Sequence, residues 1–428
     1  MRRTPPRLIA VALFVGTLFI STFPTFTAVA AEPAPHAQLI AHLRASALHV
    51  GLADGRLNGL GADWLARESE DAQFVLIGED HGMADVPQFA TALWNASTQR
   101  PFDRLVIETG PHATAALEVA RDNDGIAALN ARHPTAIPFF NWREDGDMAA
   151  NAMRDANGQQ TLCGIDQEFI LSGRLLFRSL AKLAPDAAAR DLADGYAARD
   201  DALYREMMAK RNPEIALMTQ LQASDFESMR SVFGSRPEAL TLIDDIALSA
   251  EIYRLQANEG YRSNTMRSTL MKRNFMRCYR DEQRNTPQPR ALFRMGAMHV
   301  ARGRSAVGVM DIGNLASELA ASNDATSLHV LVIAAGGDSN RWYPFADNLA
   351  AKRTPYNAKE ELEIVGALPL LEAADTDRWI LIPLAPLREQ SALRRAGGNR
   401  FEQLVYGYDA VVVIPKARAA TLYGDRSD

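Results

Sequence analysis

Two short histidine motifs lie about two hundred residues apart in this chain, each directly after an apolar run. Phe74-Val75-Leu76-Ile77 leads into Gly78-Glu79-Asp80-His81-Gly82, and Ala291-Leu292-Phe293-Arg294-Met295 leads into Gly296-Ala297-Met298-His299. Both read as a strand that ends in a glycine turn and then presents a histidine. Histidine titrates near neutrality, so it can take up and return a proton, and a neighbouring carboxylate such as Glu79 can orient its ring. Two more strand ends carry acids: Glu108 after Arg104-Leu105-Val106-Ile107, and Asp166 after Gly164-Ile165. Asp80 reads as a helix N-cap.

These groups allow two schemes. In one, a His/Glu pair activates water directly and the second histidine stabilises the developing oxyanion. In the other, His81, His299 and carboxylates among Glu79, Glu108 and Asp166 hold a divalent metal that activates the water. Imidazole with carboxylate suits zinc, manganese or cobalt better than calcium or magnesium. No Gly-x-Ser-x-Gly motif is present, and neither Cys163 nor Cys278 neighbours a histidine in sequence.

The elements that must deliver these groups alternate along the chain. Strands at 74–77, 104–108 and 161–165 are interleaved with helical patterns, after an opening helix over 37–50. The rhythm resumes with strands at 291–295 and 328–334, a helix around 315–319 between them, and late strands at 379–384 and 410–414, the last near a sheet edge. A βαβα rhythm argues for a mainly parallel sheet, whose ligands sit beyond the carboxyl ends of the strands. Between about 171 and 285 the rhythm stops, and an Ala-, Leu-, Met- and Arg-rich stretch reads as a large helical insertion. Within it Arg267, Met271 and Asn274 fall at i, i+4 and i+7, on one face of a helix. An arginine there can bind a carboxylate or an oxyanion.

Residues 1–30 read as a signal peptide: Arg2, Arg3 and Arg7, an apolar stretch from Leu8 to Ile20, and Ala28-Val29-Ala30 as the cleavage pattern. The expected location is periplasmic or secreted, with no membrane span after cleavage. Residues 31–428 are expected to form a single α/β hydrolase-like domain carrying the insertion. The net charge is −6, and loss of the three leader arginines makes it more negative. That argues against nucleic acid and for a small-molecule substrate. Two cysteines in an oxidising compartment can pair; two buried thiols are the alternative.

In order, Gly-Glu-x-His-Gly, Val-Ile-Glu-Thr-Gly at 106–110, Gly-Ile-Asp at 164–166, Arg-(x)3-Met-(x)2-Asn at 267–274 and Gly-x-x-His at 296–299 resemble the superfamily of erythromycin esterases, ChaN-like haem-uptake proteins and TIKI/TraB-like proteins. The resemblance covers about residues 70 to 340. It implies a three-layer α/β/α core. For the esterase branch it implies hydrolysis of an ester, lactone or related acyl bond without a metal, the favoured expectation, with His81 as general base and Glu79 and Glu108 as supporting acids. His299 would act on the substrate or transition state, and Arg267, with Asp166 and Asn274, on the substrate side. Esterases of this type usually place two residues between the glutamate and the histidine, and here there is one. That spacing is similar to the other two branches. The ChaN-like branch implies haem binding, with Tyr253, Tyr261 or the histidines as axial ligands. The TIKI-like branch implies a metal-dependent peptidase with His81, His299, Glu79 and Glu108 as ligands.

Overall fold

The computed structural model describes residues 33–154, 159–340 and 353–423; the expected signal peptide lies outside them. Eight strands form the central sheet: β1 (Leu48–His49), β2 (Ala72–Glu79), β3 (Arg104–Ile107), β4 (Leu162–Gly164), β5 (Ala291–Gly296), β6 (Thr326–Ala334), β7 (Ile380–Pro383) and β8 (Ala410–Ile414). Their spatial order is β1-β7-β8-β6-β2-β5-β3-β4. All pairings from β8 to β4 are parallel. Only β7 runs against its neighbours. Helices cover both faces, which gives the expected three-layer, mainly parallel architecture.

Burial on both faces explains why β2 reads as a continuous apolar run, with all eight of its residues buried. The chain moves from β2 outward to β3 and β4, then returns to β5 and continues through β6 on the other side of β2. A crevice opens at such a reversal.

Two sequence expectations need correction. The opening helix spans Pro35–Ser46 and stops before Val50, because Leu48–His49 is the edge strand β1. The strand at 410–414 is not near the edge: it is wholly buried between β7 and β6. Its unbroken Ala-Val-Val-Val-Ile composition is that of a strand covered on both faces.

The helical insertion is built from Gly173–Lys182, Ala187–Lys210, Ala223–Phe233, Pro237–Gln256 and shorter pieces. It has a core of its own, with Phe177, Met229, Phe233 and Ile246 fully buried. The helix Gly260–Glu282 then returns to the sheet. Its Met271, Phe275 and Tyr279 join the main core, where Phe275 meets Phe293 at 4.9 Å and Phe74 at 5.6 Å between ring centroids. One side of this helix therefore packs on the sheet while Arg267, one turn before Met271, reaches the strand ends.

Cys163 in β4 and Cys278 on the same helix form a disulfide across 115 residues. The bond ties the edge strand to the helix that carries Arg267. Closing so long a loop removes much of the unfolded chain's entropy, so Cys163→Ala/Cys278→Ala is expected to lose about 2–5 kcal/mol of unfolding free energy. Urea melts of the oxidised protein and the double variant measure this, and superimposable curves would contradict it. Among the described residues no helix is long and apolar enough to cross a membrane.

Candidate active site

Strand alternation and register bring the chemical groups together. Glu79 is the last residue of β2 and lies opposite Gly296 at the end of β5, while Arg294 lies between Ile77 and Ile107. Two residues beyond Glu79 the chain turns back, and His81 stands over its own strand. Gly82 makes that turn with a φ of +90°, and a Cβ there would lie 2.4 Å from the Asn340 carbonyl oxygen. A side chain at Gly296 would intrude on the site itself, its Cβ falling 3.1 Å from His81 Nε2 and 3.3 Å from Glu108 Oε2. Backbone conformation and space both call for glycine at position 82, and crowding by site side chains favours it at position 296.

His81 Nδ1 lies 2.6 Å from Glu79 Oε1. A carboxylate only accepts, so Nδ1 carries the proton and Nε2 is left as the basic nitrogen of the neutral ring. That nitrogen lies 3.6 Å from Glu108 Oε2. The His81 side chain is 30% exposed, whereas Glu79 is sealed from solvent. Phe139 stacks on the imidazole at 4.2 Å. Together with Asp80, Trp142, Ser339, Tyr356 and Glu361, His81 and Phe139 line a cavity of about 290 Å³. Asp80 does not cap a helix: the next helix starts at Asp85, with Ala84 at its N-cap.

Glu108 is the hub. Its Oε2 accepts the Gly296 N–H at 2.7 Å, and its Oε1 accepts from Arg267 at 2.8 Å. His299 Nε2 is 3.4 Å from the same Oε1. Burial alone would raise the Glu108 pKa, but the charges of His299, His81 and Arg267 outweigh it and hold the carboxyl well below its ordinary range. His299 is pushed the other way, to about 10. Burial opposes its charge, and Glu108 together with the Asp311 hydrogen bond at 2.7 Å overcomes that. At neutral pH His299 is therefore an imidazolium. Burial likewise opposes a charge on His81, yet the Glu79 hydrogen bond and the charges of Glu108 and Glu79 raise its pKa above the usual value.

Arg267 is bound on both sides, donating to Asp166 from Nε at 2.9 Å and from Nη2 at 2.6 Å, and to Glu108. Asp166 and Arg267 thus hold Glu108 in place. Asn274 stands apart from this group. It is buried, and its amide donates to the Ile165 carbonyl, fixing the end of the strand beneath Asp166. It is not among the residues that line the cavity beside His81.

Three charged partners were not singled out in the sequence. Arg294, buried within β5, lies 2.7 Å from Glu79 Oε1 and 2.5 Å from Asp145 Oδ1. Asp145 comes from the helix Arg143–Met153, and burial raises its pKa to about 7 against the opposing pull of Arg294. Asp311 serves twice: one oxygen caps the helix Ile312–Ser322, the other holds His299. A lone arginine inside an apolar strand was the legible signal for Arg294. An N-cap aspartate twelve residues after a histidine is ordinary, and Asp311 carried no such mark.

This donor set does not fit a divalent metal. Glu79 is engaged by Arg294 and Glu108 by Arg267, so both carboxylates already have a guanidinium as counter-charge. Among the described residues no three His, Cys, Asp or Glu side chains are arranged to hold a metal ion. Of the tyrosines considered for haem, Tyr253 accepts a hydrogen bond from the Ile170 N–H, and Tyr261 is an exposed side chain on the Gly260–Glu282 helix.

No protein-family model and no curated protein matches this sequence. Solved structures do resemble the fold. An erythromycin esterase variant in an open conformation superposes with a TM-score of 0.52 at 14% identity, covering 84% of this chain and 95% of that one. A protein from Bacillus cereus gives 0.54 at 13%, covering 91% and 100%. A succinoglycan biosynthesis protein gives 0.54 at 11%, covering 90% and 98%. At these identities the likeness is one of architecture: the chain shares the fold of an erythromycin esterase, and it gathers its buried histidine–carboxylate pairs at the carboxyl edge of that fold's sheet.

Proposed function

We propose that this protein is an exported hydrolase that cleaves an ester, lactone or related acyl bond without a metal. The observation that carries the reading is the orientation of His81: Nδ1 is held by Glu79, while Nε2 faces Glu108 beside an open cavity. A water held to one side of Nε2 and Glu108, within reach of both, gives its proton to Nε2 as its oxygen attacks the carbonyl carbon. Negative charge then develops on the carbonyl oxygen, and the His299 imidazolium is the adjacent preformed cation. When the tetrahedral intermediate collapses, the carbon–oxygen bond to the leaving group breaks and the His81 proton passes to the departing alkoxide. Glu79 orients the base; Glu108, fixed by Arg267 and the Gly296 N–H, positions the water.

The shared fold supports the reaction class but does not name the substrate, since a fold hosts many chemistries. Export is proposed from the leader-like first 30 residues and is supported by the disulfide, a bond characteristic of oxidising compartments.

The pH dependence tests the assignment of base and cation. His81 must be neutral to accept a proton, so kcat/KM should rise as pH passes its elevated pKa, above 6.5. His299 must stay charged, so the rate should fall as pH passes about 10. A rate maximum on the alkaline side of neutrality is expected with p-nitrophenyl esters as probes. A profile that is flat from pH 6 to 11, or one that peaks in acid, would remove His81 from the role of base.

A further inference from the structure

A second cavity lies on the other side of the His299 turn. It encloses about 580 Å³, and its lining includes Ala297 and Met298 from the turn, Arg302, Arg304 and Arg400, and Ile364, Val365 and Tyr406. Among the described residues no aspartate or glutamate lines it, although acids outnumber Lys and Arg in the chain. Arg302 is balanced by Asp409 behind the wall at 2.7 Å. Among the described residues Arg304 finds no side-chain hydrogen-bond or ion-pair partner, and Arg400 donates only to the Glu363 carbonyl. Two guanidinium groups are therefore left without a counter-charge.

The apolar part of the lining is equally uneven. Among the described residues seven large hydrophobic side chains are exposed, and three of them, Met298, Ile364 and Tyr406, line this one groove. Exposed apolar side chains gathered with uncompensated arginines fit a ligand with an apolar body and an anionic end. The volume suits a small molecule.

The groove also adjoins the site described above. Its wall at Ala297 and Met298 is the helical turn Ala297–Val300 that delivers His299. The helix Ala358–Val365 serves both cavities: Glu361 lines the one beside His81, and Ile364 and Val365 line the groove.

We propose that this groove seats the distal part of the substrate, an apolar chain or ring ending in a carboxylate, sulfate or phosphate. Calling the ligand a part of the substrate rests on the hydrolase reading; its binding in the groove does not. Calorimetric titration with monomeric n-octyl phosphate reads binding without turnover. Saturable binding at one site is expected, weakened about tenfold or more in Arg304→Gln/Arg400→Gln and again in Ile364→Glu. Inorganic phosphate and n-octyltrimethylammonium should bind far more weakly. These positions are at the surface and outside the core, so the variants should fold; their circular dichroism checks this.

Unchanged affinity in the double variant, or equal binding of the cationic amphiphile, would overturn the groove as an anion site. Binding to vesicles of anionic phospholipid but not to monomeric octyl phosphate would assign it to a lipid surface and overturn the small-molecule site. Turnover then separates the two readings. For the mono-p-nitrophenyl ester of sebacic acid, Arg304→Gln/Arg400→Gln should raise KM with kcat unchanged, and it should leave p-nitrophenyl octanoate unaffected. Octyl phosphate binding with no KM change would overturn the substrate role. Octyl phosphate binding by a protein that hydrolyses no ester would instead count against the hydrolase reading and leave the anion site standing.

Discussion

His81→Ala is expected to lower kcat by about 10²–10⁴-fold, the range over which a positioned general base contributes, while the protein stays folded. The two halves of this expectation come from different contacts. The imidazole has a carboxylate on one nitrogen, and the same side chain lines the cavity. Its removal does not strand Glu79, because Arg294 still lies 2.7 Å from the same oxygen. What is lost structurally is a partly exposed ring stacked on Phe139, a modest change of about 1 kcal/mol. Glu108→Gln should give a comparable loss of kcat. It removes the charge that keeps His299 protonated, so the alkaline limb of the pH profile should also move to lower pH. Steady-state kinetics on the two variants, with urea melts alongside, make the measurement. Retention of more than about half the wild-type kcat in His81→Ala would remove it from the chemistry.

The second large effect is on stability. Arg294 stands between two buried carboxylates, Glu79 and Asp145, and is itself 2% exposed. Arg294→Met removes the only positive charge within ion-pair distance of Asp145 among the described residues, and leaves two acids sealed from solvent. Breaking a buried pair from one side typically costs about 3–5 kcal/mol, and that loss is expected here in a urea melt at pH 8. The cost should shrink as pH falls. Asp145, whose pKa burial has already raised to about 7, should in the variant take up a proton still more readily and so shed its charge. Arg294→Met/Asp145→Asn should recover part of the stability by the same reasoning. If the single and double variants melt alike at every pH, the triad carries no charge coupling. Because Arg294 also lowers the proton affinity of His81 electrostatically, Asp145→Asn, which frees Arg294 to act more fully on Glu79 and His81, should shift the His81 titration to lower pH. Histidine NMR reads that shift whether or not a substrate is in hand.

The sequence carried the catalytic candidates wherever the signal was local. A strand is recognised by an unbroken apolar run and its end by a glycine turn, so Glu79, His81, Glu108 and His299 could be placed on one sheet edge from neighbours a few residues away. The helical insertion was legible for the same reason, since a change of period is visible within a short window. The phase of the Gly260–Glu282 helix was also local, and it put Arg267 and Asn274 on one face. It could not say that Arg267 reaches Glu108 and Asp166 while Asn274, two turns on, is sunk beneath the strand end.

Other features had no local trace. An edge and an interior position differ only in what packs outside them, so β8 was misplaced and β1 was read as the end of a helix. The partnership of Arg294 with Asp145 spans 149 residues in sequence, and no spacing rule links a strand arginine to a helix aspartate at that range. Asp311 is a helix cap by its sequence and becomes a partner of His299 only because β5 and the helix after it converge. The protonation states were decided at the same level. Both histidines have the same intrinsic chemistry, and the sequence presents them as near twins. Only the packing leaves one partly exposed beside a cavity and makes the other a buried cation, because burial and the charges gathered from distant strands act through space, not along the chain.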